Sequence, residues 1–306
     1  MNASSRACTV IVRTRNSART VGQALTSLFS QDFRDFDLLV VDSGSTDGTQ
    51  AIVSQFPHTW MRWPPDDYFP GRVLNEAVSR TSAAIAVFLN SDCILLTPRA
   101  LSRLLSALDD PSVAAAFARQ VPRPDAWPHV RADYARAFPG SGDAPRWLPL
   151  SLPFAAIRRA DWLEQPFYTK AWGSEDTEWG VRALARGRRI VYVPDALVLH
   201  SHNYTLPQLY GRRFIEAEAD AFIYARAATI GAVLRRFASG WARDAAAAVA
   251  ARDPRDFAMA PIRRAVEGLA VFRGGRLGDR RRRMRDPDAG AGQRVALSRH
   301  ESSSPD

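Results

Sequence analysis

The chain of 306 residues is 46% hydrophobic and 10% aromatic, which indicates a globular protein with a core and excludes a wholly disordered one. Its net charge of +9 lies almost entirely in residues 207–285, where 17 arginines accompany eight acidic residues, while residues 1–206 carry only +2. Because the excess is local, we expect an anionic partner for the C-terminal part, either nucleic acid or an anionic membrane surface.

The cellular compartment is predicted from two targeting signals that are not seen in the sequence and from the two cysteines. The N-terminal residues contain no long apolar stretch, so no signal peptide is expected. No segment approaches the ~18 uninterrupted apolar residues that a membrane-spanning helix needs. Cys8 and Cys93 lie far apart in apolar runs, which is more typical of buried thiols in a reducing compartment than of a disulfide. The sequence therefore predicts a cytoplasmic protein.

The first 200 residues alternate strand and helix patterns, as expected of an α/β fold with a mostly parallel sheet. The predicted strands are Thr9–Arg13, Asp37–Val41, Thr59–Trp63, Ala84–Leu89, Ala114–Phe117, Arg189–Val193 and Ala196–His200. The predicted helices are Ser17–Gln31, Gly48–Phe56, Arg72–Arg80, Pro98–Leu108 and Thr177–Arg186. Residues Gln120–Pro149 are rich in Pro, Trp, Arg and Gly and are predicted to be irregular, a surface suited to a second substrate.

The C-terminal part is Ala- and Arg-rich. It is predicted to be helical from Thr205 to about Phe272, with breaks near Ser239-Gly240 and Asp253-Pro254. The expected parts of the chain are an α/β domain over residues 1–205, a basic helical extension over residues 206–285 and a disordered tail over residues 286–306.

The basic extension suggests a partner. Arg-rich amphipathic helices bind anionic bilayers, so we expect a protein that is peripheral on the inner face of the cell membrane. An ordinary helical appendage with a solvated basic face would look the same in sequence. Nucleic acid is not expected as the partner, because no groove-reading module or aromatic platform accompanies the charge.

The segment Leu38–Thr49, LLVVDSGSTDGT, is the most informative part of the chain. An apolar run leads into small turn residues and a helix start, and ligands of open α/β sheets bind at the carboxyl ends of the strands. Asp42 can accept hydrogen bonds from a base or ribose, and Asp47 is expected to cap the next helix. Ser43 and Gly44 allow a ligand to approach the backbone. An ordinary strand–turn–helix loop with acidic caps would share this pattern.

Polar residues also follow other strands or begin helices. The groups are Arg13–Asn16, Asp42–Asp47, Asn90-Ser91-Asp92 and Glu175-Asp176. Because the ends of neighbouring parallel strands meet at one edge of a sheet, these groups are expected to share a cleft. Arg72 and Asn75 begin a helix near the same edge and are candidate nucleotide contacts, although an exposed helix start would look identical.

Asp92 is the candidate metal ligand. Mg²⁺ and Mn²⁺ take oxygen ligands and often need only one or two carboxylates beside substrate phosphates. His200, at a strand end, is a candidate second ligand, since imidazole is acceptable to Mn²⁺. A turn cap for Asp92 and a structural role for His200 are the alternatives, and metal binding requires that both face one cleft.

Asp176 is the candidate general base, which must face the cleft to reach the proton that it removes. Adjacent residues on a helix project about 100° apart, so Glu175 and Asp176 cannot both serve as the base. While one of them faces the cleft, the other can cap the helix or orient its neighbour. Helix-capping alone would also explain the pair. Trp172 and Trp179 flank it and either form a stacking wall for a sugar ring or belong to the core.

Taken together, these segments resemble a family-2 glycosyltransferase of the GT-A fold. The matching segments, from Thr9 to His202, are TVIVRTRNSARTVGQALTSLFSQ, FDLLVVDSGSTDGT, GRVLNEAV, AVFLNSD and WGSEDTEWGVRALARGRRIVYVPDALVLHSH. The segment SHNYTLPQLYGRRF is similar to bacterial rhamnosyltransferase-like members. The resemblance implies inverting transfer of a sugar from a nucleoside diphosphate to a glycan or lipid-linked acceptor in bacterial surface polysaccharide or glycolipid synthesis.

The resemblance also implies roles for individual residues. Asp92 and His200 would hold Mn²⁺ or Mg²⁺ against the donor diphosphate, and Asp176 would deprotonate the acceptor hydroxyl. The expected nucleotide-sugar contacts are Arg13, Thr14, Asn16, Asp42, Ser43, Gly44, Arg72, Asn75, Asn90, Ser91, Trp172 and Trp179. Asn90 departs from the family, whose metal motif usually begins with an acid.

Two other functions compete with this one. A nucleotidyltransferase would share nucleotide loops and an acidic metal site, and Arg15 could contact a triphosphate, but the Gly-rich loop typical of that chemistry is missing. A degenerate member would bind a nucleotide sugar, or act as a membrane adaptor, without turnover. Only Asn90 favours this last reading, and the presence of Asp92, Asp176 and His200 argues against it.

Overall fold

The computed structural model of the protein describes residues 7–225 and 228–284, so the predicted tail 286–306 lies outside the described residues. The chain divides into two compact units. Of the described residues, the sheet unit contains 7–123, 134–168 and 176–201, and the helical unit contains 124–133, 169–175, 202–225 and 228–284. Two short segments from the first 200 residues thus group with the C-terminal helices.

The sheet unit is built on one eight-stranded sheet. Its strands are β1 (Cys8–Thr14), β2 (Phe36–Asp42), β3 (Thr59–Arg62), β4 (Ile85–Asn90), β5 (Ile94–Leu95), β6 (Val113–Val121), β7 (Phe154–Arg158) and β8 (Arg189–Leu199). Their order is β3-β2-β1-β4-β7-β6-β8-β5. The first four strands pair in parallel, as do β6 and β8, whereas β7 and β5 pair antiparallel with their neighbours. The predicted α/β fold with a mostly parallel sheet is confirmed.

Helices cover both faces of this sheet. In chain order the helices of the first 200 residues are α1 (Val21–Phe29), α2 (Thr49–Val53), α3 (Pro70–Ser79), α4 (Ala100–Ser106), α5 (Pro128–Ala137), α6 (Arg159–Glu164) and α7 (Glu175–Ala185). Successive strand residues point to opposite faces, so Val10 and Val12 of β1 enter one apolar core while Ile11 between them enters the other. Burial on both faces explains why the strands are apolar almost throughout.

Two predictions for this part are wrong. Residues 120–149, predicted to be irregular, contain the end of β6 and all of α5. The two predicted strands Arg189–Val193 and Ala196–His200 form the single strand β8, because its pairing with β6 continues beyond Pro194 through a register shift. A bulge of this kind accommodates proline, which has no N–H to donate to the ladder.

The helical unit contains α8 (Leu206–Tyr224), α9 (Ile230–Ala250) and α10 (Pro254–Arg283). The predicted break at Asp253-Pro254 is confirmed, with Asp253 accepting a 2.9 Å hydrogen bond from the backbone N–H of Asp256. The predicted break at Ser239-Gly240 is wrong. Gly240 lies inside α9, where an added Cβ would come within 2.8 Å of the Arg264 side chain, so the glycine serves close packing. Helix α10 also continues past Phe272.

Glycines let α8 and α10 approach each other closely. An added Cβ at Gly274 would overlap the carbonyl oxygen of Phe214, and one at Gly278 would overlap that of Glu218. Arg281 forms a buried ion pair with the Glu218 carboxylate in the same interface. Within residues 7–225 and 228–284, no helix combines the length and the apolar character that crossing a bilayer requires.

Candidate functional site

The predicted polar groups of the first strands meet at one edge of the sheet. Strand β1 lies between β2 and β4, and its register pairs Thr14 with Asp42 and Arg13 with Asn90. The loops that follow these three strands therefore leave the sheet side by side, as expected for the ligand-binding edge of an α/β sheet. Ser17, directly after the first loop, lies 3.0 Å from Ser91, Oγ to Oγ, which joins the loops that follow β1 and β4.

Asp42 organises the loop after β2. Its side chain is buried and accepts a 3.0 Å hydrogen bond from the Thr14 hydroxyl and 3.1 and 3.0 Å bonds from the backbone N–H groups of Gly44 and Ser45. Gly44 has a φ of +83°, which other residues rarely adopt. Ser43 is buried and donates its N–H to the Thr14 carbonyl. Gly44 is exposed, as are Thr46, Asp47 and Gly48 of the same loop, and it offers backbone that a ligand can approach.

The loops after β1 and β2 are locked together. Asn16 accepts a 2.9 Å hydrogen bond from the Thr46 N–H, and Asp47 accepts bonds from the N–H groups of Ala18 and Thr49. Desolvation opposes ionisation of Asp47, but the bonds from Thr49 and Ala18 outweigh it and lower its pKa. Asp47 thus secures the start of α2, as predicted.

Asp92 and His200 face each other at the ends of different strands. The Oδ2 atom of Asp92 lies 3.6 Å from the Nε2 atom of His200, too long for a hydrogen bond. Asp92 is partly exposed whereas His200 is buried. The Arg123 guanidinium donates a 2.7 Å hydrogen bond to the Asp92 carbonyl, which holds its backbone. One carboxylate oxygen and one imidazole nitrogen directed at a common point suit Mn²⁺ or Mg²⁺.

Gln120, which the sequence did not single out, orients this histidine. Its Oε1 atom lies 2.7 Å from Nδ1 of His200, and its Nε2 atom donates a 2.8 Å hydrogen bond to the Ser151 hydroxyl. With its amide set in this way, Gln120 accepts the Nδ1 proton, and the Nε2 atom of His200 faces Asp92. Neutral imidazole with one nitrogen so anchored is the usual form of a metal-bound histidine.

Asp176 begins the part of α7 that belongs to the sheet unit. Its carboxylate accepts a 2.7 Å hydrogen bond from the Thr177 N–H and a longer one, 3.4 Å, from the Leu152 N–H. The side chain is half-buried. Glu175, also half-buried, and the buried Trp172 lie in the helical unit. Their predicted roles remain predictions.

Two predicted ligand contacts, Trp179 and Asn75, bond to other residues of the protein instead. Trp179 is fully buried in the core and donates its indole N–H to the Gln165 carbonyl, so its ring cannot stack on a sugar. The side chain of Asn75 donates to the Phe167 carbonyl at 2.9 Å and accepts from the Phe167 N–H at 2.8 Å and the Trp162 indole at 2.9 Å. These bonds fasten α3 to a distant segment and occupy both acceptor sites of the Asn75 amide oxygen.

Three further predicted contacts, Arg13, Arg72 and Asn90, bond to other residues of the protein and keep partial solvent exposure. Arg72 pairs with Asp67 at 3.1 Å, and Arg13 donates a 3.4 Å hydrogen bond to the Tyr68 hydroxyl. The backbone of Asn90 bonds to Pro153 and Cys93, which shapes the turn irrespective of its side chain. All of these residues except Cys93 keep some exposure.

Two curated relatives share much of the sequence. The O-antigen chain rhamnosyltransferase RfbN of Salmonella typhimurium is 30% identical over 221 residues, which are 67% of this chain and 70% of that protein. The O-antigen chain rhamnosyltransferase WbaN of Salmonella anatum is 33% identical over 193 residues, 58% of this chain and 60% of that protein.

Solved structures share the fold. A mannosyltransferase of Pyrobaculum calidifontis, determined with GDP-mannose and Mn²⁺, has a TM-score of 0.60 at 20% identity and covers 99% of this chain and 89% of its own. Glucosyl-3-phosphoglycerate synthase of Mycobacterium tuberculosis, determined with Mn²⁺, uridine diphosphate and glucosyl-3-phosphoglycerate, has a TM-score of 0.52 at 22% identity, covering 69% and 78%. The predicted GT-A fold is confirmed.

The sequence profile described as "Glycosyl transferase family 2" matches residues 9–167, just over half of the chain. The match begins in β1 and includes the loops after β1, β2 and β4, with Asp42 and Asp92. Together with the relatives that are at least 30% identical, this assigns the chain. The protein belongs to glycosyl transferase family 2.

Proposed function

We propose that this family-2 glycosyltransferase moves a sugar, with inversion, from a nucleoside-diphosphate donor to a hydroxyl of a growing bacterial surface polysaccharide. The observation that carries the proposal is the Asp92–His200 pair beside the loops that follow β1 and β2. The similarity to two O-antigen chain rhamnosyltransferases supports a surface polysaccharide as product and rhamnose as the sugar.

The donor nucleotide would lie across the ends of β1, β2 and β4. The exposed Gly44 backbone offers close approach, and the partly exposed Arg13 supplies a positive charge for the diphosphate. Asp42 acts indirectly in this proposal. Its carboxylate holds the loop through bonds to Gly44 and Ser45, so it sets the position of the backbone groups that a base or ribose would meet.

Asp92 and His200 would hold the metal ion. The donor set fits, because one partly exposed carboxylate and one neutral imidazole leave room for water and phosphate oxygens. A divalent ion there would neutralise charge on the departing nucleoside diphosphate. Gln120 contributes by keeping the His200 Nε2 atom directed toward Asp92.

Asp176 would accept the proton of the acceptor hydroxyl. Its N–H donors hold the carboxylate at the start of α7, and its half exposure leaves an oxygen within reach of a bound substrate. Deprotonation as the hydroxyl attacks raises the nucleophilicity of the oxygen without a free alkoxide. Glu175, one residue earlier, would be a positioning residue for the same loop.

The acceptor is proposed to be a glycan carried on a lipid, with the enzyme on the inner face of the cell membrane. This setting is supported by the excess of 17 arginines over eight acids in residues 207–285. A basic surface would concentrate the enzyme where an anionic lipid carrier is found.

The first experiment measures donor binding and hydrolysis over a panel of nucleotide sugars that includes a nucleoside-diphosphate rhamnose, with Mn²⁺, Mg²⁺ or EDTA. We expect one donor to bind in a metal-dependent way and Asp92→Ala to abolish that dependence. Asp109→Ala is the matched control, because Asp109 is an exposed carboxylate that precedes β6 and is far along the strands from the site edge.

Other outcomes select the competing functions. Binding of one nucleotide sugar without hydrolysis or transfer under any metal would indicate the degenerate reading that Asn90 suggests. Release of pyrophosphate from a nucleoside triphosphate would indicate a nucleotidyltransferase. Equal binding by the wild type and Asp92→Ala in Mn²⁺ and in EDTA would contradict the proposed metal site.

A further inference from the structure

Exposed large apolar side chains are concentrated in the last two helices. Fourteen such side chains are exposed among residues 7–225 and 228–284, and eight of them lie in residues 230–284. These eight are Ile230, Leu234, Trp241, Val249, Phe257, Ile262, Leu269 and Met284. Scattered exposed apolar residues are ordinary, but a concentration of this kind marks a surface that meets something other than water.

On α9 the exposed apolar residues follow the period of the helix. Leu234 comes four residues after Ile230, and Trp241 seven residues after Leu234, so the three project from one face. Their exposed fractions are 64%, 62% and 45%. The buried residues of α9 are Gly240, Asp244 and Ala248, and Gly240 adjoins the Arg264 side chain of α10. The apolar stripe is therefore left over after the helix has made its intramolecular contacts.

The charge exposed on these helices and their connecting turn is almost entirely positive. The ten exposed arginines are Arg235, Arg236, Arg243, Arg252, Arg255, Arg273, Arg276, Arg280, Arg282 and Arg283. The acids of the same helices are mostly turned inward. Asp244, Asp256 and Glu267 are paired with arginines at 2.5, 2.9 and 2.6 Å and are at most 16% exposed. Packing has thus placed these acids against inner arginines and left ten other arginines exposed.

These two properties together favour an anionic bilayer over other occupants. A second copy of the chain would bring two sets of the same ten arginines together, and their repulsion opposes a symmetric contact. Nucleic acid would use the arginines but leave the apolar stripe in water. A helix lying in the bilayer interface uses both, with apolar side chains at the acyl boundary and arginines beside lipid phosphates.

We propose that the exposed surface of α9 and α10, which carries the eight apolar side chains and ten arginines named above, is a docking surface for an anionic lipid bilayer. The inference deepens the proposed function and rests on it only for the lipid-linked acceptor. The proposal assigns two functions to different residues. The arginines provide attraction to anionic headgroups, and the stripe of Ile230, Leu234 and Trp241 provides insertion.

The test uses the full-length chain and vesicle flotation, with phosphatidylcholine alone or mixed with phosphatidylglycerol. We expect binding to the anionic vesicles only. The combined variant Arg235→Gln, Arg236→Gln and Arg243→Gln should bind about 100-fold more weakly, because each arginine near the surface contributes a several-fold factor. Arg99→Gln, another strongly exposed arginine, is the matched control and should bind as the wild type does.

The apolar stripe is tested separately. Leu234→Ser with Trp241→Ser should weaken anionic vesicle binding about tenfold or more, because serine removes the inserted area and leaves the charge unchanged. Leu163→Ser in α6, where the leucine is 56% exposed, is the matched control. Thermal unfolding of each variant, followed by circular dichroism, confirms that the fold is retained, as expected for exposed positions.

Several results would contradict the proposed bilayer surface. Equal binding to neutral and anionic vesicles, or binding that none of these variants weakens, would overturn the proposal. So would a concentration-dependent dimer, seen by sedimentation without lipid and lost in Leu234→Ser with Trp241→Ser, which would assign the face to a second copy. Donor hydrolysis measured without vesicles tests the proposed function independently, so failure of one is distinguishable from failure of the other.

Discussion

Gln120 lies 80 residues before His200 in the sequence, yet its Oε1 atom is 2.7 Å from the histidine Nδ1. Both residues lie at or just past the end of a strand, since β6 contains Gln120 and β8 ends at Leu199, and these two strands pair in parallel. The Nε2 atom of the same imidazole faces Asp92 at 3.6 Å. The protein thereby fixes which nitrogen of His200 is available to a metal ion.

Replacing Gln120 by leucine should weaken Mn²⁺ binding about 10- to 100-fold, as loss of a residue that orients a metal-bound histidine does. The measurement is Mn²⁺ titration by calorimetry or electron paramagnetic resonance, without substrate. Ser151→Ala should have a smaller effect, because it removes only the donor that Gln120 uses for its own orientation. An unchanged Mn²⁺ affinity in Gln120→Leu would remove Gln120 from the site.

Replacing Asp176 by asparagine should lower kcat about 10²- to 10⁴-fold, since asparagine keeps the shape but cannot take a proton. Donor affinity should stay within about twofold, because the base acts on the acceptor. Glu175→Gln is the matched control, one residue away, and should lose far less. Steady-state kinetics with the identified donor, and donor binding by calorimetry, give both numbers. Equal losses in the two variants would show that the pair serves the fold rather than proton transfer.

Replacing Gly278 by alanine should destabilise the protein by about 1–3 kcal/mol, the range for added atoms in a packed interface. The new Cβ would overlap the Glu218 carbonyl oxygen, and backbone cannot move aside as a flexible side chain can. Gly231→Ala, in the first turn of α9, has no atom within 4 Å of the new Cβ and should be neutral or slightly stabilising. Urea unfolding compares the two, and equal stability would contradict close α8–α10 packing.

His129 should make stability pH-dependent. Burial, reinforced by the nearby Arg263 charge, lowers its pKa below the usual 6.5, despite the 2.9 Å contact with Asp256. The unfolded chain therefore binds this proton first, so the stabilisation is complete above pH 6.5 and is lost as pH falls through the lower folded pKa. Melting temperatures at a series of pH values should fall less steeply for His129→Asn than for wild type. Parallel pH profiles would exclude the histidine as the source.

The position of residues at the sheet edge was predicted best for those that are close in sequence to a strand end. Asp42 and Asp92 each follow an apolar run, and the parallel order of β1, β2 and β4 brings such ends together whatever the rest of the chain does. Asn75 and Trp179 were predicted less well. Both lie on helices with a plausible exposed face, but their partners Phe167 and Gln165 come from a segment that no local pattern links to them.

By itself the sequence determined the alternation of strands and helices, the acidic loop motifs and the concentration of arginine near the C-terminus, because these depend on neighbours within a few residues. The tertiary structure alone decided which polar groups are used up internally and which face outward. It paired Asp244 and Glu267 with arginines, left other arginines exposed, and set Gln120 against His200. Such choices depend on contacts between residues far apart in the chain, which helical and strand periodicity do not encode.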